Sequence, residues 1–193
     1  MRNVLIVCTG NTCRSPMAES ILKKLAEQRS LAIDVRSAGV AAISGLPVSS
    51  HAAEALRRRQ LPVPAGSTAL TGQTAEWADL ILTMTAGHKK AVLERFPSAA
   101  GKTYTLKEYA LSGEAAMEDL MEAERIYADW QLKQALGESL PAADRERLLE
   151  LQRKLPSFDI ADPYGGPPEL YERCADEIDE ALRKSLGKLQ KPD

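Results

Sequence analysis

The sequence predicts an α/β fold, a parallel sheet with helices on both faces. Three observations predict it. Short apolar runs of strand length alternate with segments of helical period, turn-forming residues mark the junctions, and 193 residues at 44% hydrophobic content suit one ordinary core. Alternation favours parallel neighbours, because each helix carries the chain back to the same end of the sheet.

Asn3–Val7 reads as a buried strand, an apolar run with two valines ended by Gly10 and Asn11. Pro16 to about Ser30 reads as a helix, with Ser15 as cap, Pro16 in the first turn, and Ile21, Leu22 and Leu25 as its core stripe. Leu31–Ser37 is the second strand, closed by Ser37-Ala38-Gly39, and Ser49–Gln60 the next helix, closed before Pro62. Its Arg57-Arg58-Arg59 run reads as a solvated helix end that suits the dipole. A loop over 61–72 leads to a short helix at Gln73–Ala78. Leu80–Met84 is a third strand, Ala86–Phe96 a helix stopped by Pro97, and Thr103–Leu106 a fourth strand.

Residues 113 to about 155 are dense in Ala, Leu, Glu and Arg, and read as a helical hairpin of Glu114–Leu136 and Ala142–Leu155. Met117, Leu120, Met121, Tyr127 and Trp130 could form the apolar face of the first helix, and Leu148, Leu151 and Leu155 that of the second, for self-packing or dimerisation. Pro168 to about Leu189 is the last helix, with Leu170, Ile178 and Leu182 inward. One domain over 1–193 is expected, acting as a monomer.

A formal net charge of −2 carries no electrostatic footprint for nucleic acid or an anionic membrane. The amino-terminal apolar run Val4–Val7 is too short for a signal peptide, and no later stretch approaches a membrane span, so a cytoplasmic protein is expected. Three cysteines, Cys8, Cys13 and Cys174, suit free thiols in a reducing compartment rather than a disulfide framework. His51 and His88 lie far apart and at no metal-ligand spacing from a cysteine, so neither metal nor cofactor is expected.

The chemistry lies in Cys8-Thr9-Gly10-Asn11-Thr12-Cys13-Arg14-Ser15, which follows a strand and opens a helix. A tight loop at a helix amino terminus turns backbone N–H groups inward, and the dipole adds positive charge, so the segment suits a phosphate. Arg14 can grip two phosphate oxygens with its planar fork. Cys8 then sits beneath the phosphorus, where the same field favours a thiolate nucleophile. Ser15 can hydrogen-bond that thiolate and help it leave. Gly10 permits the tight backbone, and Asn11 tolerates a left-handed conformation. Thr9, Thr12 and Cys13 complete the substrate-binding loop, and Cys13 is near enough through the curl to act as a resolving thiol on oxidation. A lone cysteine here would read as a buried core thiol; the company of Arg14 and Ser15 argues otherwise.

A cysteine phosphatase also needs an acid to protonate its leaving group. Asp162 is the candidate, in Asp159-Ile160-Ala161-Asp162-Pro163-Tyr164-Gly165-Gly166, where Pro and two glycines suit a shaped loop over a pocket. Asp159 competes with it. Tyr164 is either a core residue or an aromatic wall for the substrate.

Cys8–Ser15 resembles the signature of low-molecular-weight protein phosphatases, and Asp162-Pro163-Tyr164-Gly165 resembles their general-acid loop. Ser37-Ala38-Gly39 and Ala78–Met84 match in order, and the likeness spans about 1–110 and 157–190. The resemblance implies a four-stranded parallel sheet, a cysteinyl-phosphate intermediate, Cys8 as nucleophile, Arg14 as clamp, Ser15 as thiolate stabiliser, and Asp162 as acid and then base. Segment 113–155 is then an inserted helical hairpin. Thr12, where tyrosine-specific members carry an aliphatic residue, and Thr105-Leu106-Lys107-Glu108-Tyr109 resemble bacterial protein-arginine phosphatases, which implies phosphorylated proteins as partners and phosphoarginine as the group removed. The rivals are a tyrosine phosphatase of the same fold, an arsenate reductase and a phosphoprotein-binding module. Pro64-Ala65-Gly66-Ser67 lacks a histidine that many members carry.

Overall fold

A computed structural model describes residues 2–111 and 114–190. The chain forms two compact units, Met1–Ala110 with Phe158–Asp193, and Leu111–Ser157. The first holds a four-stranded sheet of β1 (Arg2–Cys8), β2 (Ile33–Gly39), β3 (Leu80–Thr83) and β4 (Thr103–Thr105), in the order β2-β1-β3-β4 with every pair parallel. Its helices are α1 (Arg14–Arg29), α2 (Ser50–Arg58), α3 (Gly72–Trp77), α4 (Ala86–Arg95), α5 (Leu106–Ala110) and, beyond the second unit, α8 (Pro168–Leu189).

Alternation along β1 divides the core. Val4, Ile6 and Cys8 enter a cluster with Met17 and Leu22 of α1, Leu56 of α2, and Ile178 and Leu182 of α8. Leu5 and Val7 enter the opposite cluster, with Ala75 of α3 and Val92 of α4. Helices therefore cover both faces, as predicted, and shortening a fully buried side chain such as Leu56 costs about 2–5 kcal/mol. Strand order reverses beside β1, so Cys8, at its carboxyl end, occupies the crevice where open α/β sheets bind ligands.

Several expectations are corrected. α1 starts at Arg14, not Pro16; Ser15 does not cap it, because its hydroxyl is bonded to Cys8 Sγ. A 3₁₀ turn at Pro97–Lys102 and the short α5 are too brief to show an apolar period. Arg59 is not a solvated end: it is half-buried, bonding Glu172 and, at 2.5 Å, Asp176 of α8, while Arg58 stays exposed beside Glu54. Leu170 is only half-buried, while its neighbour Tyr171 faces the core.

The second unit contains α6 (Glu114–Ala135) and α7 (Ala142–Lys154). Its small core joins Ile126, Leu140 and Leu151, with Trp130 and Leu148 against them. The expected face is corrected in part: Leu120 is buried as expected, but Met121 and Tyr127 are exposed, and Ile126, which was not expected, is buried. Arg147 bonds both Glu122 oxygens, at 3.0 and 2.7 Å, and so ties α7 to α6. Among the described residues, no helix is long and apolar enough to cross a membrane.

Candidate active site

The loop between β1 and α1 is held from outside by backbone. Val40 N–H donates to Cys8 O, Ala41 N–H to Thr9 O and Ser49 N–H to Thr12 O, each at 2.9 Å. Asn11 adopts φ 55°, and its side chain braces the curl: its amide nitrogen donates to Ser15 Oγ and Ser37 Oγ at 2.8 Å, and its oxygen accepts from Thr68 N–H at 2.7 Å. Gly10 has no positive φ, and a Cβ there would meet only Thr12 Oγ1, at an ordinary contact distance of 3.6 Å. The position that demands glycine is Gly39, where a Cβ would lie 2.4 Å from Thr9 O and 2.9 Å from Asn11 N.

Cys8 Sγ is 2% exposed, 3.0 Å from Ser15 Oγ and within 3.3 Å of the Asn11 N–H that donates to it. The first turn of α1 receives no side-chain cap, which leaves its N–H groups available to an anion. Arg14, 5% exposed, donates to Asp162 Oδ2 at 2.6 Å and to Ile160 O at 3.3 Å. The loop that carries Asp162 is anchored where Ile160 N–H meets Met84 O at 2.8 Å and Tyr164 N–H meets Asp162 Oδ1 at 3.1 Å.

A cavity of about 310 Å³ joins these groups. Cys8, Thr9, Gly10, Thr12, Cys13 and Arg14 form its floor, and Ala41, Ile43, Leu46, Asp162 and Tyr164 its rim. Of the predicted site residues, Asn11 and Ser15 are absent from this lining and act behind it. Tyr164 is 78% exposed and so belongs to the rim, not the core. Asp159 is turned away: its Oδ1 accepts from Ala86 N–H at 2.7 Å, at the start of α4.

Sequence reasoning missed His88. It is buried, with Nε2 2.8 Å from Thr9 Oγ1 and Nδ1 2.9 Å from Thr85 Oγ1. Burial, aided by the Arg14 guanidinium, pushes its imidazole down to about 4 against the opposite pull of Asp162 and Asp159. The available signal was its place at the start of the helix after β3, beside the carboxyl ends of the strands. Cys174 is a different kind of thiol: burial pushes it up to about 12, and its Sγ faces Ala161 O at 3.7 Å. Among the described residues, no cluster of three or more His, Cys, Asp or Glu side chains is placed to hold a metal ion.

The family profile described as low molecular weight phosphotyrosine protein phosphatase matches residues 3–129. A protein-arginine-phosphatase of Bacillus subtilis is 32% identical over 189 residues, covering 98% of this chain and 97% of that protein. A solved arginine phosphatase, a cysteine-to-serine mutant with a phosphorylated active-site serine, superposes with a TM-score of 0.73 at 32% identity, covering 98% of this chain and 96% of the other. A low molecular weight protein tyrosine phosphatase from T. tengcongensis superposes at 0.71 with 29% identity, covering 97% and 99%.

Proposed function

The chain belongs to the low molecular weight phosphotyrosine protein phosphatase family, and from that membership we propose that it removes phosphate from phosphoarginine in proteins. The observation that carries the reading is the meeting of Cys8, Arg14 and Asp162 at one cavity whose floor includes Thr12. Cys8 thiolate attacks phosphorus, the P–N bond breaks, and the departing guanidine nitrogen takes a proton from the Asp162 carboxyl. Arg14 and the loop N–H groups hold the phosphoryl oxygens through the transition state. Asp162 carboxylate then accepts a proton from water as the water oxygen attacks the cysteinyl phosphate. The S–P bond breaks, and the thiolate returns to Ser15 O–H and Asn11 N–H.

Two features support the guanidinium substrate. Full-length relatives act on phosphoarginine by name, and the Thr12 hydroxyl gives a polar partner where an aliphatic side chain gives none. The second reading, a tyrosine phosphatase, is favoured by the apolar rim of Ile43, Leu46 and Tyr164, which suits a flat ring. The test is kcat/KM on matched phosphoarginine and phosphotyrosine peptides, with wild type and Thr12→Ile. Wild type should prefer phosphoarginine, and the ratio should fall at least about tenfold in the variant, the equivalent of one hydrogen bond to a charged group. A wild type that prefers phosphotyrosine selects the second reading.

The same reading makes the protein a cytoplasmic monomer with one catalytic domain over 1–193, interrupted by the insertion at about 113–155. Free Cys8, Cys13 and Cys174 support a reducing compartment.

A further inference from the structure

His88 is a buried titratable group that the chemistry above leaves unused. It stands in the first turn of α4, 8% exposed, between two threonine hydroxyls. Thr85 Oγ1 accepts the backbone N–H of His88 at 3.2 Å, as the cap of α4, and also lies 2.9 Å from His88 Nδ1. A hydroxyl has one proton and two lone pairs. With the backbone N–H on one lone pair, the Thr85 proton has Nδ1 as its acceptor within reach. A neutral imidazole that accepts at Nδ1 carries its own proton on Nε2, and the group facing Nε2 at 2.8 Å is Thr9 Oγ1. Thr9 Oγ1 then accepts a hydrogen bond from Nε2–H, and its own hydroxyl hydrogen is left for the cavity whose floor it shares with Gly10, Thr12 and Arg14.

We propose that His88 is a positioning residue, which, protonated on Nε2, holds Thr9 as a hydrogen-bond donor to the phosphoryl group that Cys8 attacks. The chain runs Thr85 O–H to Nδ1, Nε2–H to Thr9 Oγ1, and Thr9 O–H to a phosphoryl oxygen. An imidazolium would present a donor to Thr85 as well and break the first link. The burial and Arg14 charge that keep His88 neutral at pH 7 therefore fit the arrangement. Thr9 adds a side-chain donor to a cradle otherwise made of backbone N–H groups and Arg14.

The inference rests on the reading that this cavity takes a phosphoryl group, and two measurements separate the failure of one from the failure of the other. Long-range ¹H–¹⁵N correlation of the wild-type imidazoles at pH 7 reads the tautomer without any turnover. The neutral Nε2–H form is expected for His88, and an Nδ1–H form or an imidazolium overturns the proposal. The second measurement is hydrolysis of para-nitrophenyl phosphate, with competitive inhibition by inorganic phosphate. Thr9→Val and His88→Leu should each lower kcat/KM about 10- to 100-fold and weaken phosphate inhibition in parallel, as for a lost bond to a charged group. Thr9→Ser, which keeps the hydroxyl, should stay closer to wild type than Thr9→Val. Because both variants cut one chain, His88→Leu added to Thr9→Val should cost no more than about a further twofold. Fully additive losses, or a Thr9→Val enzyme inhibited by phosphate as wild type is, overturn the proposal even if His88→Leu does not fold. A wild type that hydrolyses no phosphate ester or phosphoarginine overturns the phosphatase reading instead.

Discussion

Asp162 Oδ2 accepts a hydrogen bond from the Arg14 guanidinium at 2.6 Å, with the Arg14 side chain 6% exposed and the Asp162 side chain 51%. The proposed acid is thereby aimed by the proposed clamp. Asp162→Asn keeps an oxygen for Arg14 but loses the transferable proton. It should lower kcat about 100-fold or more on poor leaving groups and much less on activated aryl phosphates, which leave unprotonated. Asp159→Asn, at a side chain bonded to the first N–H of α4, should change stability rather than this leaving-group dependence. Rates across a series of aryl phosphates decide between the two carboxylates.

Gly39→Ala should damage the loop from behind. The added Cβ meets backbone of Thr9 and Asn11, neither of which is a flexible side-chain end. Overpacking of this kind costs about 1–3 kcal/mol, or a Tm lower by about 2–12 °C in a chain of this size. The displaced loop should lower kcat roughly 100-fold, since a shift near 1 Å at a reacting group has that effect. Calorimetry and para-nitrophenyl phosphate turnover read the two losses.

The His88 imidazole should make folding stability depend on pH. Its folded value, near 4, lies below the 6.5 of an unfolded histidine, so between those values the unfolded chain binds more protons. Stability should fall as pH drops from about 6.5 towards 4, by at most about 1.4 kcal/mol per unit, and this contribution should flatten below 4. Urea unfolding of wild type and His88→Gln isolates it: the difference in slope within that window belongs to His88. Parallel slopes would show that its folded imidazole titrates normally.

Replacing 113–155 by a short linker should leave hydrolysis of aryl phosphates intact and change kcat/KM on phosphoproteins. The segment has its own core of Ile126, Leu140 and Leu151. Circular dichroism and turnover check the trimmed protein; if it unfolds, the hairpin belongs to the catalytic core.

The parts of this site that could be read from sequence are those that are contiguous. Cys8 to Ser15 carries strand end, loop and helix start in eight consecutive residues, so its chemistry shows as spacing. Asp162 was legible as a carboxylate in a rigid loop and through the likeness of Asp162-Pro163-Tyr164-Gly165 to the family's acid loop, while the different directions of the Asp162 and Asp159 side chains come from the structure. His88 and Gly39 reach the loop from other elements, the start of α4 and the end of β2, so the spacing within Cys8–Ser15 does not show them. Ser15-Pro16 imitates a cap because the same hydroxyl that suits a helix start also suits a thiol. On α6, Tyr127 and Ile126 are neighbours, and the buried one is Ile126 while Tyr127 is exposed.

The Met84 backbone links the two halves of the site: its N–H donates to Val7 O at 2.9 Å, and its C=O accepts from Ile160 N–H at 2.8 Å. Arg14 and Asp162 are 148 positions apart, and domains form from the amino terminus as they leave the ribosome. The cysteine loop is therefore synthesised early, and Asp162, the proposed acid, arrives only when a later stretch of chain closes a long loop onto the edge of Met84. A chain still short of that stretch holds the Cys8 thiol without the Asp162 carboxylate, so it should hydrolyse only substrates whose leaving groups depart unprotonated.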